Sequence, residues 1–243
     1  MITYIKEIDS TNTELKRRAI AGAPSGTVLV ADRQTAGRGR MGRQFLSPDG
    51  AGLYMSILAR PVILSQAGRM THLVAVAVRR ALLPLGVDAD IKWVNDLLVG
   101  GRKLCGILVE SGMASGETFA VIGIGINLAH ASFPEELAPI VTSVEDVTGS
   151  VPERAALIEA ILAELRPLMG PADEVVEAAM DEYRRRCITV GKPVTVLPHG
   201  AEGYPAVALG VNHDGSLRVV LPDGTERDIA TGEVSVRMGE NQS

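Results

Sequence analysis

Arginine and glycine alternate in one short stretch of this chain, and the two residue types together suit the binding of an anion. Three of each stand within seven residues: Gly37, Arg38, Gly39, Arg40, Gly42 and Arg43. Arginine carries a fixed charge on a planar fork of donors, and glycine lets the backbone adopt positive φ and approach a ligand closely. The stretch has neither helical nor strand periodicity. It predicts a loop that closes on an anion and is mobile until one binds.

The sequence of this loop also fits other interpretations. An Arg/Gly run also fits an ordinary solvated loop. Residues 37–42 match the pattern G-x-G-x-x-G, but they lead toward a strand signal, whereas the dinucleotide-binding motif opens a helix. The sequence contains no G-x-x-x-x-G-K-[ST] motif. A phosphate site here would therefore use guanidinium groups more than a helix N-terminus.

The first predicted helix offers a second group of polar side chains. Thr11 and Glu14 have the spacing of a capping box ahead of an apolar run, so we expect a helix that begins here and ends at Gly22. Ser10, Thr11 and Asn12 either cap this helix or, together with the free amides of its first turn, bind an anion. Taken alone, the segment favours capping.

A predicted hairpin offers a third group. Two glycines separate the apolar runs 91–99 and 102–110, which is a hairpin signal. Lys103 then lies on a strand near the turn, and Asn95-Asp96 lies in the other run. In isolation these residues fit edge-strand protection or turn chemistry. They gain meaning only together with the arginines.

The run 118–128 predicts a strand with two different faces. Side chains alternate along a strand, so Gly123, Gly125 and Asn127 share one face and three isoleucines face a core. The glycine face would leave a groove where a flat ligand could lie against the backbone, with Asn127 at its end. The alternative is that the glycines only relieve crowding beneath a helix.

The rest of the chain predicts an α+β fold with a mixed sheet and two domains. We expect strands at 2–8, 27–33 and 52–58 and helices at 65–85, 143–148, 153–168 and 173–187, the third of these with Ser150 and Pro152 as start signals. After residue 189 short alternating runs and turn residues predict a small barrel of hairpins. The predicted domains are 1–188, which carries the site, and 189–243.

Composition excludes several classes of protein. The 243 residues carry a net charge of −5, which opposes a broad nucleic-acid-binding face and leaves the arginines a local role. Two cysteines and four histidines match no metal-ligand spacing. The first residues lack the apolar core of a signal peptide, and no run is long enough to span a membrane. We expect a cytoplasmic protein without a structural metal.

The candidate residues favour one kind of reaction. No Ser-His-Asp or Cys-His set stands out, so transfer through a covalent enzyme intermediate is not the natural interpretation. Cations and amides that position two anionic reactants suit attack by a substrate carboxylate on the α-phosphate of a nucleotide, where catalysis depends on alignment and charge stabilisation.

In order along the chain, these motifs resemble those of the biotin–protein ligases, of the monofunctional type without an N-terminal DNA-binding domain. The matching stretches are Ser10-Thr11-Asn12, Gln34, 37–43, 92–96, 103–108, 123–127 and 232–237. The resemblance implies a catalytic domain similar to class II aminoacyl-tRNA synthetases, the biotin–lipoate ligase fold, followed by an SH3-like barrel. It also implies an enzyme that makes biotinyl-5′-AMP from biotin and MgATP and passes the biotin to one lysine of a carboxylase's biotin carboxyl carrier domain.

The resemblance implies roles for individual residues. Biotin would be bound by Ser10, Thr11, Asn12, Gln34, Gly37, Arg38, Lys103 and Gly106. The nucleotide would be bound by Arg38, Arg40, Arg43, Phe45, Asn95, Asp96, Asn127 and Arg237. Arg40 and Lys103 would be catalytic through stabilisation of the carboxylate and the α-phosphate, and Asp96 is the candidate Mg²⁺ contact. Monomer and homodimer both remain open.

Two departures from the family pattern and two competing functions accompany this interpretation. The family usually has proline at Val94 and tryptophan at Phe45, so affinity for biotin or ATP could differ. A lipoate- or octanoate-transferring enzyme of the same fold is the first competitor, although the complete 37–43 loop favours biotin. A biotin-sensing DNA-binding regulator is the second. Nine residues precede Ser10, fewer than the roughly 40 of an unaided folded domain, so we expect no helix-turn-helix and no DNA partner.

Overall fold

The computed structural model describes residues 2–60, 64–131, 133–170, 174–198, 200–230 and 234–238, except for the side chains of 64–67 and 234–238. The strands are β1 Ile2–Ile8, β2 Val28–Gln34, β3 Gly52–Ala59, β4 Asp90–Lys92, β5 Asp96–Val99, β6 Arg102–Ala114, β7 Glu117–Asn127, β8 Pro193–Pro198, β9 Tyr204–Val211, β10 Leu217–Val220, β11 Glu226–Ile229 and β12 Val234–Met238. The helices are α1 Thr11–Ile20, α2 Leu64–Leu82, α3 Val144–Thr148, α4 Arg154–Leu165 and α5 Glu174–Arg186. No helix in these ranges is long and apolar enough to cross a membrane.

Seven strands form the larger sheet, in the order β1-β2-β3-β7-β6-β5-β4. Strands β1 and β2 run parallel, and the remaining neighbours are antiparallel. The sheet is therefore mixed, which confirms the predicted α+β class.

The two faces of this sheet carry different helices, as the alternation in β7 predicted. Ile122, Ile124 and Ile126 belong to the main apolar core, which includes α2, α4 and α5. Helix α1 contacts β2, β3, β6 and β7, and its Leu15 and Ala19 form a separate cluster on the other face. The glycines of β7 lie on the α1 face because side chains alternate along a strand.

The C-terminal strands form a second sheet with the order β11-β10-β9-β8-β12. All its described pairings are antiparallel. This agrees with the predicted hairpins, but within the described ranges β11 and β12 are edges and no closed barrel forms. The predicted boundary near residue 189 falls between α5 and β8 and stays a prediction.

The two sheets are joined through the turn between β9 and β10. The indole nitrogen of Trp93 donates to the carbonyl of Gly215 at 3.1 Å, and the Trp93 amide donates to Thr189 Oγ1 at 2.9 Å. A Cβ at Gly215 would lie 2.5 Å from the ring of His72, which is fully buried on α2. The main core accordingly continues from one sheet into the other.

The structure corrects three local predictions. Ser10 caps α1 by accepting from the Thr13 amide at 3.4 Å, so the capping box of Thr11 and Glu14 was wrong. Helix α4 is capped by the Glu153 carboxylate, so the predicted start signals Ser150 and Pro152 do not form its N-cap. The run 91–99 is broken between β4 and β5 by a turn over 93–95, in which the Trp93–Val94 peptide is cis.

Candidate active site

A pocket with about 930 Å³ of empty volume, part of it open to solvent, lies on the α1 face of the larger sheet. Its walls come from the start of α1, the end of β2, the arginine-rich loop, the turn between β4 and β5, and strands β6 and β7. Twelve of the predicted site residues line it: Ser10, Thr11, Asn12, Gln34, Arg38, Arg40, Arg43, Phe45, Asn95, Asp96, Lys103 and Gly106. Most of the residues proposed from widely separated motifs therefore meet in one place.

One side of the pocket, which we call the neutral end, is lined by the uncharged polar residues Ser10, Thr11, Asn12 and Gln34, and Ser47 and Ser56 hydrogen-bond to these residues from outside the pocket. The carboxamide oxygen of Gln34 accepts from the Thr11 amide at 2.8 Å and from its hydroxyl at 3.1 Å. The Gln34 nitrogen donates to Ser47 Oγ at 2.9 Å. Every one of these links joins two different elements, so the donors and acceptors have fixed directions before a ligand arrives.

Ser56 extends the neutral end beneath α1. Its hydroxyl oxygen lies 2.8 Å from Thr11 Oγ1 and 2.6 Å from Asn12 Oδ1. The residue is fully buried in a strand that is otherwise apolar. A buried hydroxyl needs a partner, and Ser56 finds its partners at the start of α1.

The basic loop, residues 37–43, is folded on itself. The Gly39 amide donates to the Arg43 carbonyl at 2.7 Å, and the Phe45 amide donates to the Gly37 carbonyl at 2.9 Å. Arg40–Gly42 form a short 3₁₀ turn. A Cβ at Gly37 would lie only 2.2 Å from the Phe45 carbonyl, so glycine is required for this close approach. The loop has more local structure than its sequence predicted, while its mobility stays a prediction.

Arg40 is the partly buried cation of this loop. Burial lowers the pKa of its guanidinium, the neighbouring Arg43 lowers it further, and the Asp96 carboxylate opposes both. An arginine nevertheless stays charged at neutral pH. A charge held away from water interacts more strongly with an incoming anion.

Lys103 and Asp96 form an ion pair across β5 and β6, with 2.7 Å between Nζ and Oδ1. The Lys103 ammonium also lies 5.8 Å from the centre of the Phe45 ring. Asn95 is tied to the same place, since its amide donates to the Ile107 carbonyl at 2.9 Å. Lysine, asparagine and aspartate are thus assembled by the hairpin, as their set was expected to be.

The pocket-facing glycines of β6 and β7, Gly106, Gly123 and Gly125, are covered by protein side chains. A Cβ at Gly125 would lie 2.6 Å from the Phe45 ring, and one at Gly106 would lie 3.1 Å from it. A Cβ at Gly123 would lie 2.3 Å from the Asn12 carboxamide. The glycines do face the pocket, but their bare backbone receives Phe45 and Asn12 in this conformation.

Two predicted residues among the described side chains, Gly37 and Asn127, do not line the pocket. Gly37 supports the basic loop from behind, through the contacts given above. Asn127 ends β7 with its amide donating to the carbonyls of Thr142 at 3.0 Å and Lys103 at 3.4 Å, so it anchors the Lys103 backbone. Arg237 lies on β12, outside the described side chains, and Gly232, Glu233 and His199 also fall outside the described residues.

Sequence reasoning gave no role to Ser56 and Glu110, which support the pocket wall, and it named Lys92 only as part of the stretch 92–96. Ser56 carried a usable signal, because it is the single polar side chain in the run 52–59 apart from a tyrosine hydroxyl. Lys92 lines the pocket. Glu110 pairs with Arg38, with 3.2 Å between the nearest charged atoms.

The described residues supply no other obvious chemistry. Burial raises the pKa of the Cys105 thiol, which keeps it protonated and unreactive. No group of three metal-ligating side chains occurs among the described residues. The pocket is therefore a place for positioning charged reactants.

Comparison with known proteins agrees with this geometry. Residues 4–127 match the biotin/lipoate A/B protein ligase family. The bifunctional ligase/repressor BirA of Bacillus spizizenii is 43% identical over 235 residues, which are 93% of this chain and 71% of that protein. The biotin–[acetyl-CoA-carboxylase] ligase of Mycobacterium tuberculosis is 33% identical over 223 residues, 89% of this chain and 82% of that one.

A solved structure shares the fold over nearly the whole length. The biotin protein ligase of Aquifex aeolicus in complex with biotin and ATP has a TM-score of 0.79 and 27% identity, covering 98% of this chain and 99% of that chain. With these relatives, the family match and the assembled pocket, the chain belongs to the biotin/lipoate A/B protein ligase family.

Proposed function

We propose that this chain is an ATP-dependent biotin–protein ligase, which makes biotinyl-5′-AMP and transfers the biotin to a lysine of a biotin carboxyl carrier domain. The observation that carries the proposal is a pocket in which a preformed, uncharged hydrogen-bonding wall meets three arginines and two lysines. Biotin has the matching parts, a neutral ring system with donors and acceptors at one end and a carboxylate at the other. The named relatives and the solved complex support the same conclusion.

The neutral end suits the ring system of biotin. We assign Ser10, Thr11, Asn12 and Gln34 to it, with Gly106 and the Gly37–Arg38 backbone beside them. The Thr11, Asn12 and Gln34 side chains already hydrogen-bond to one another or to Ser56 at 2.6 to 3.1 Å, so little order has to be created when the ligand binds.

The cations of the pocket, Arg40 on the basic loop and Lys103 on β6, suit the first chemical step. A carboxylate oxygen of biotin attacks the α-phosphorus of ATP, the bond to the pyrophosphate oxygen breaks, and pyrophosphate leaves with its electron pair. Arg40 and Lys103 lie where two anions would meet, and their charges offset the repulsion between carboxylate and phosphate. Lys103 starts in its ion pair with Asp96, so an arriving phosphate would share or replace that partner.

The second step transfers the acyl group. The neutral amine of the carrier lysine attacks the carbonyl carbon of biotinyl-AMP, the bond to the phosphate oxygen breaks, and AMP leaves with the electron pair. The attacking nitrogen releases one proton to solvent as the amide forms. The basic loop would hold the adenylate until the carrier arrives, with Arg38 and Arg43 contributing charge.

Mg²⁺ fits the residues present only as a partner of the nucleotide. Asp96 is a carboxylate on the pocket wall next to the cations, and Mg²⁺ is commonly held by one or two carboxylates together with substrate phosphates. When bound, the ion would neutralise phosphate charge. Asp96 would hold it, while Lys103 and Arg40 still act on the α-phosphate and carboxylate.

The remaining assignments concern the nucleotide and the domains. We assign Phe45, Asn95, Asn127 and Arg237 to the nucleotide. Phe45 would form a wall beside it, and Asn127 would act through the Lys103 backbone, which it anchors. We keep 1–188 as the catalytic domain and 189–243 as an SH3-like barrel. A cytoplasmic location and either a monomer or a homodimer are part of the same proposal.

The test uses the purified chain with MgATP and a carrier domain. We expect mass spectrometry to show one added biotin on the carrier, and ATP–pyrophosphate exchange to depend on biotin. Lipoate and octanoate are offered in parallel, and a carrier with its acceptor lysine changed to arginine is the matched control. Exchange supported by lipoate or octanoate but not by biotin would replace the proposal with the competing ligase of the same fold.

A further inference from the structure

Glu110 collects three donors at the neutral end of the pocket, yet it is not a pocket-lining residue. Its Oε1 lies 3.1 Å from Lys16 Nζ and 3.2 Å from an Arg38 guanidinium nitrogen. Its Oε2 accepts from Asn12 Nδ2 at 3.0 Å. One carboxylate therefore ties α1, the basic loop and β6 together.

The position of Glu110 on β6 explains why it reaches this place. Gly106, Leu108 and Glu110 alternate along the strand and share a face, and the first two line the pocket. Glu110 continues that row just past the end of the pocket. Its side chain is only 16% exposed, so its interactions are screened less by water than those of a surface pair.

The contact with Asn12 helps to fix which way that carboxamide points. An ionised carboxylate can only accept hydrogen bonds, so Glu110 selects the amino side of Asn12 together with the Leu108 carbonyl, which accepts from the same nitrogen at 3.2 Å. The carbonyl side faces Ser56 at 2.6 Å. Ser56 is next to Thr11, and Thr11 donates to Gln34. Because the Asn12 carboxamide oxygen can only accept, the Ser56 hydroxyl donates to it, so the orientation of this carboxamide sets the direction of the hydrogen bond beneath α1.

The contact with Arg38 fixes a side chain that would otherwise be mobile. The Arg38 side chain is 45% exposed and stands on the glycine-rich loop. A partly buried anion at 3.2 Å gives its guanidinium a preferred place beside α1. Without that anion, Arg38 and Lys16 would face each other as two like charges.

We propose that Glu110 is a positioning residue that, through Asn12 and Arg38, holds the biotin-binding side of the pocket in its binding arrangement. It touches neither reacting anion; its effect falls on affinity for the acid substrate. This role rests on the proposed function, since it assumes that the neutral end receives biotin.

The test compares Glu110→Gln with Lys16→Met. The first keeps the shape of the side chain but loses its charge and its acceptor-only character, and the second removes the other cation from the same oxygen without touching the pocket. We expect Glu110→Gln to raise the KM for biotin about 10-fold or more, the effect of losing a hydrogen bond to a charged group, with kcat changed less than about 2-fold. Lys16→Met should leave both parameters near wild type.

A double-mutant cycle with Arg38→Ala separates positioning from a general loss of structure. If Glu110 acts partly through Arg38, the rise in KM caused by Glu110→Gln will be smaller in the Arg38→Ala background. The proposal is overturned if Glu110→Gln raises the KM for biotin by the same factor in the wild-type, Arg38→Ala and Asn12→Ala backgrounds. Should Glu110→Gln melt well below wild type, Glu110→Asp, which keeps the charge but shortens the reach, takes its place in the cycle.

A measurement without ligands keeps this proposal distinct from the proposed function. Trypsin should cleave after Arg38 faster in unliganded Glu110→Gln than in wild type or Lys16→Met, because the guanidinium has lost its anchor. If wild type makes no biotinyl-AMP, the proposed function fails and the cleavage rates still decide the role of Glu110. Equal rates in all three proteins would show that Glu110 does not hold Arg38.

Discussion

The two sides of the pocket are built in different ways. The neutral end is fixed by hydrogen bonds between α1, β2 and β3, and its central hydroxyl, that of Ser56, is fully buried. The basic loop is held by its own backbone, and its cations have carboxylate partners, Glu110 for Arg38 and, through the charge interaction described above, Asp96 for Arg40. At the neutral end the fold sets the directions of the hydrogen bonds, whereas the basic loop supplies positive charge that can bind an anion.

This difference suggests a division of work between recognition and reaction. Directional hydrogen bonds discriminate between ligands of similar size, because a wrong group leaves a buried donor or acceptor unpaired. Cations stabilise charge that develops in the transition state. Changes on the neutral end should therefore alter affinity for the acid, and changes on the basic side should alter rate or retention of the intermediate.

The largest effect is expected for Lys103→Ala. Removing a cation aimed at developing phosphoryl charge should slow adenylate synthesis by about 100- to 1,000-fold, while biotin affinity falls much less. ATP–pyrophosphate exchange at saturating biotin measures the rate, and calorimetry measures the affinity. Arg102→Ala is the control, since it removes an exposed cation from the neighbouring position of β6. Wild-type turnover with weakened biotin binding would assign Lys103 to recognition and break the division.

Arg40→Gly should release the intermediate. The lost interaction is a charged hydrogen bond of about 1.5–3 kcal/mol, or about 10- to 150-fold in retention of biotinyl-AMP. A streptavidin blot with bystander albumin gives the ratio of off-target to carrier labelling, which should rise. Met41→Gly loosens the same loop without removing charge, and its backbone already has a φ of 54°. If Met41→Gly leaks as much, loop flexibility and not the guanidinium explains retention.

Gln34→Ala should weaken biotin binding about 10-fold, since Thr11 and Ser47 lose a buried partner. Turnover at saturating biotin should change little, and the loss should be the same at low and high salt because no charge is removed. Titration calorimetry at two ionic strengths measures both points. Thr35→Ala, at the next and exposed position, is the control. A loss that depends strongly on salt would contradict the uncharged character of this side.

The smallest effect is a several-fold protection of the basic loop by ligands. Three like charges crowd the loop until an anion neutralises them, so trypsin should cut after Arg38, Arg40 and Arg43 more slowly with biotin and ATP than without. Cleavage elsewhere, for example after the exposed Arg102, serves as the internal reference. Unchanged relative rates would mean that the loop is already as ordered as the neutral end.

Much of this arrangement could be predicted from the sequence, because it depends on local rules. Gly100 and Gly101 both have positive φ, as the hairpin turn requires, and they place Lys103 on β6. Alternation along β7 placed its glycines on one face and its isoleucines in the core. The order of the motifs then identified the family.

The rest depends on contacts that no local pattern encodes. Phe45 covers pocket-facing glycines of β6 and β7 because the loop turns back at Gly37, and this path is set in three dimensions. Ser56 and Glu110 reach the start of α1 from strands 44 and 98 residues away from Asn12. The start of α1 itself was misassigned by one residue, because Ser10 and Thr11 can both cap a helix and the tertiary bond from the Thr11 amide to Gln34 favours Ser10 as the cap.

The hydrogen bond between Trp93 and Gly215 affects which truncated forms of this protein can fold. Trp93 lines the pocket, and its indole nitrogen donates to the turn between β9 and β10. Deleting the C-terminal sheet would leave that donor unpaired and open the buried ring of His72 to solvent, since Gly215 packs against it. The C-terminal sheet is thus a structural partner of the pocket wall. Heating should unfold both sheets in a single cooperative transition, and a fragment ending near residue 189 should not behave as a smaller ligase.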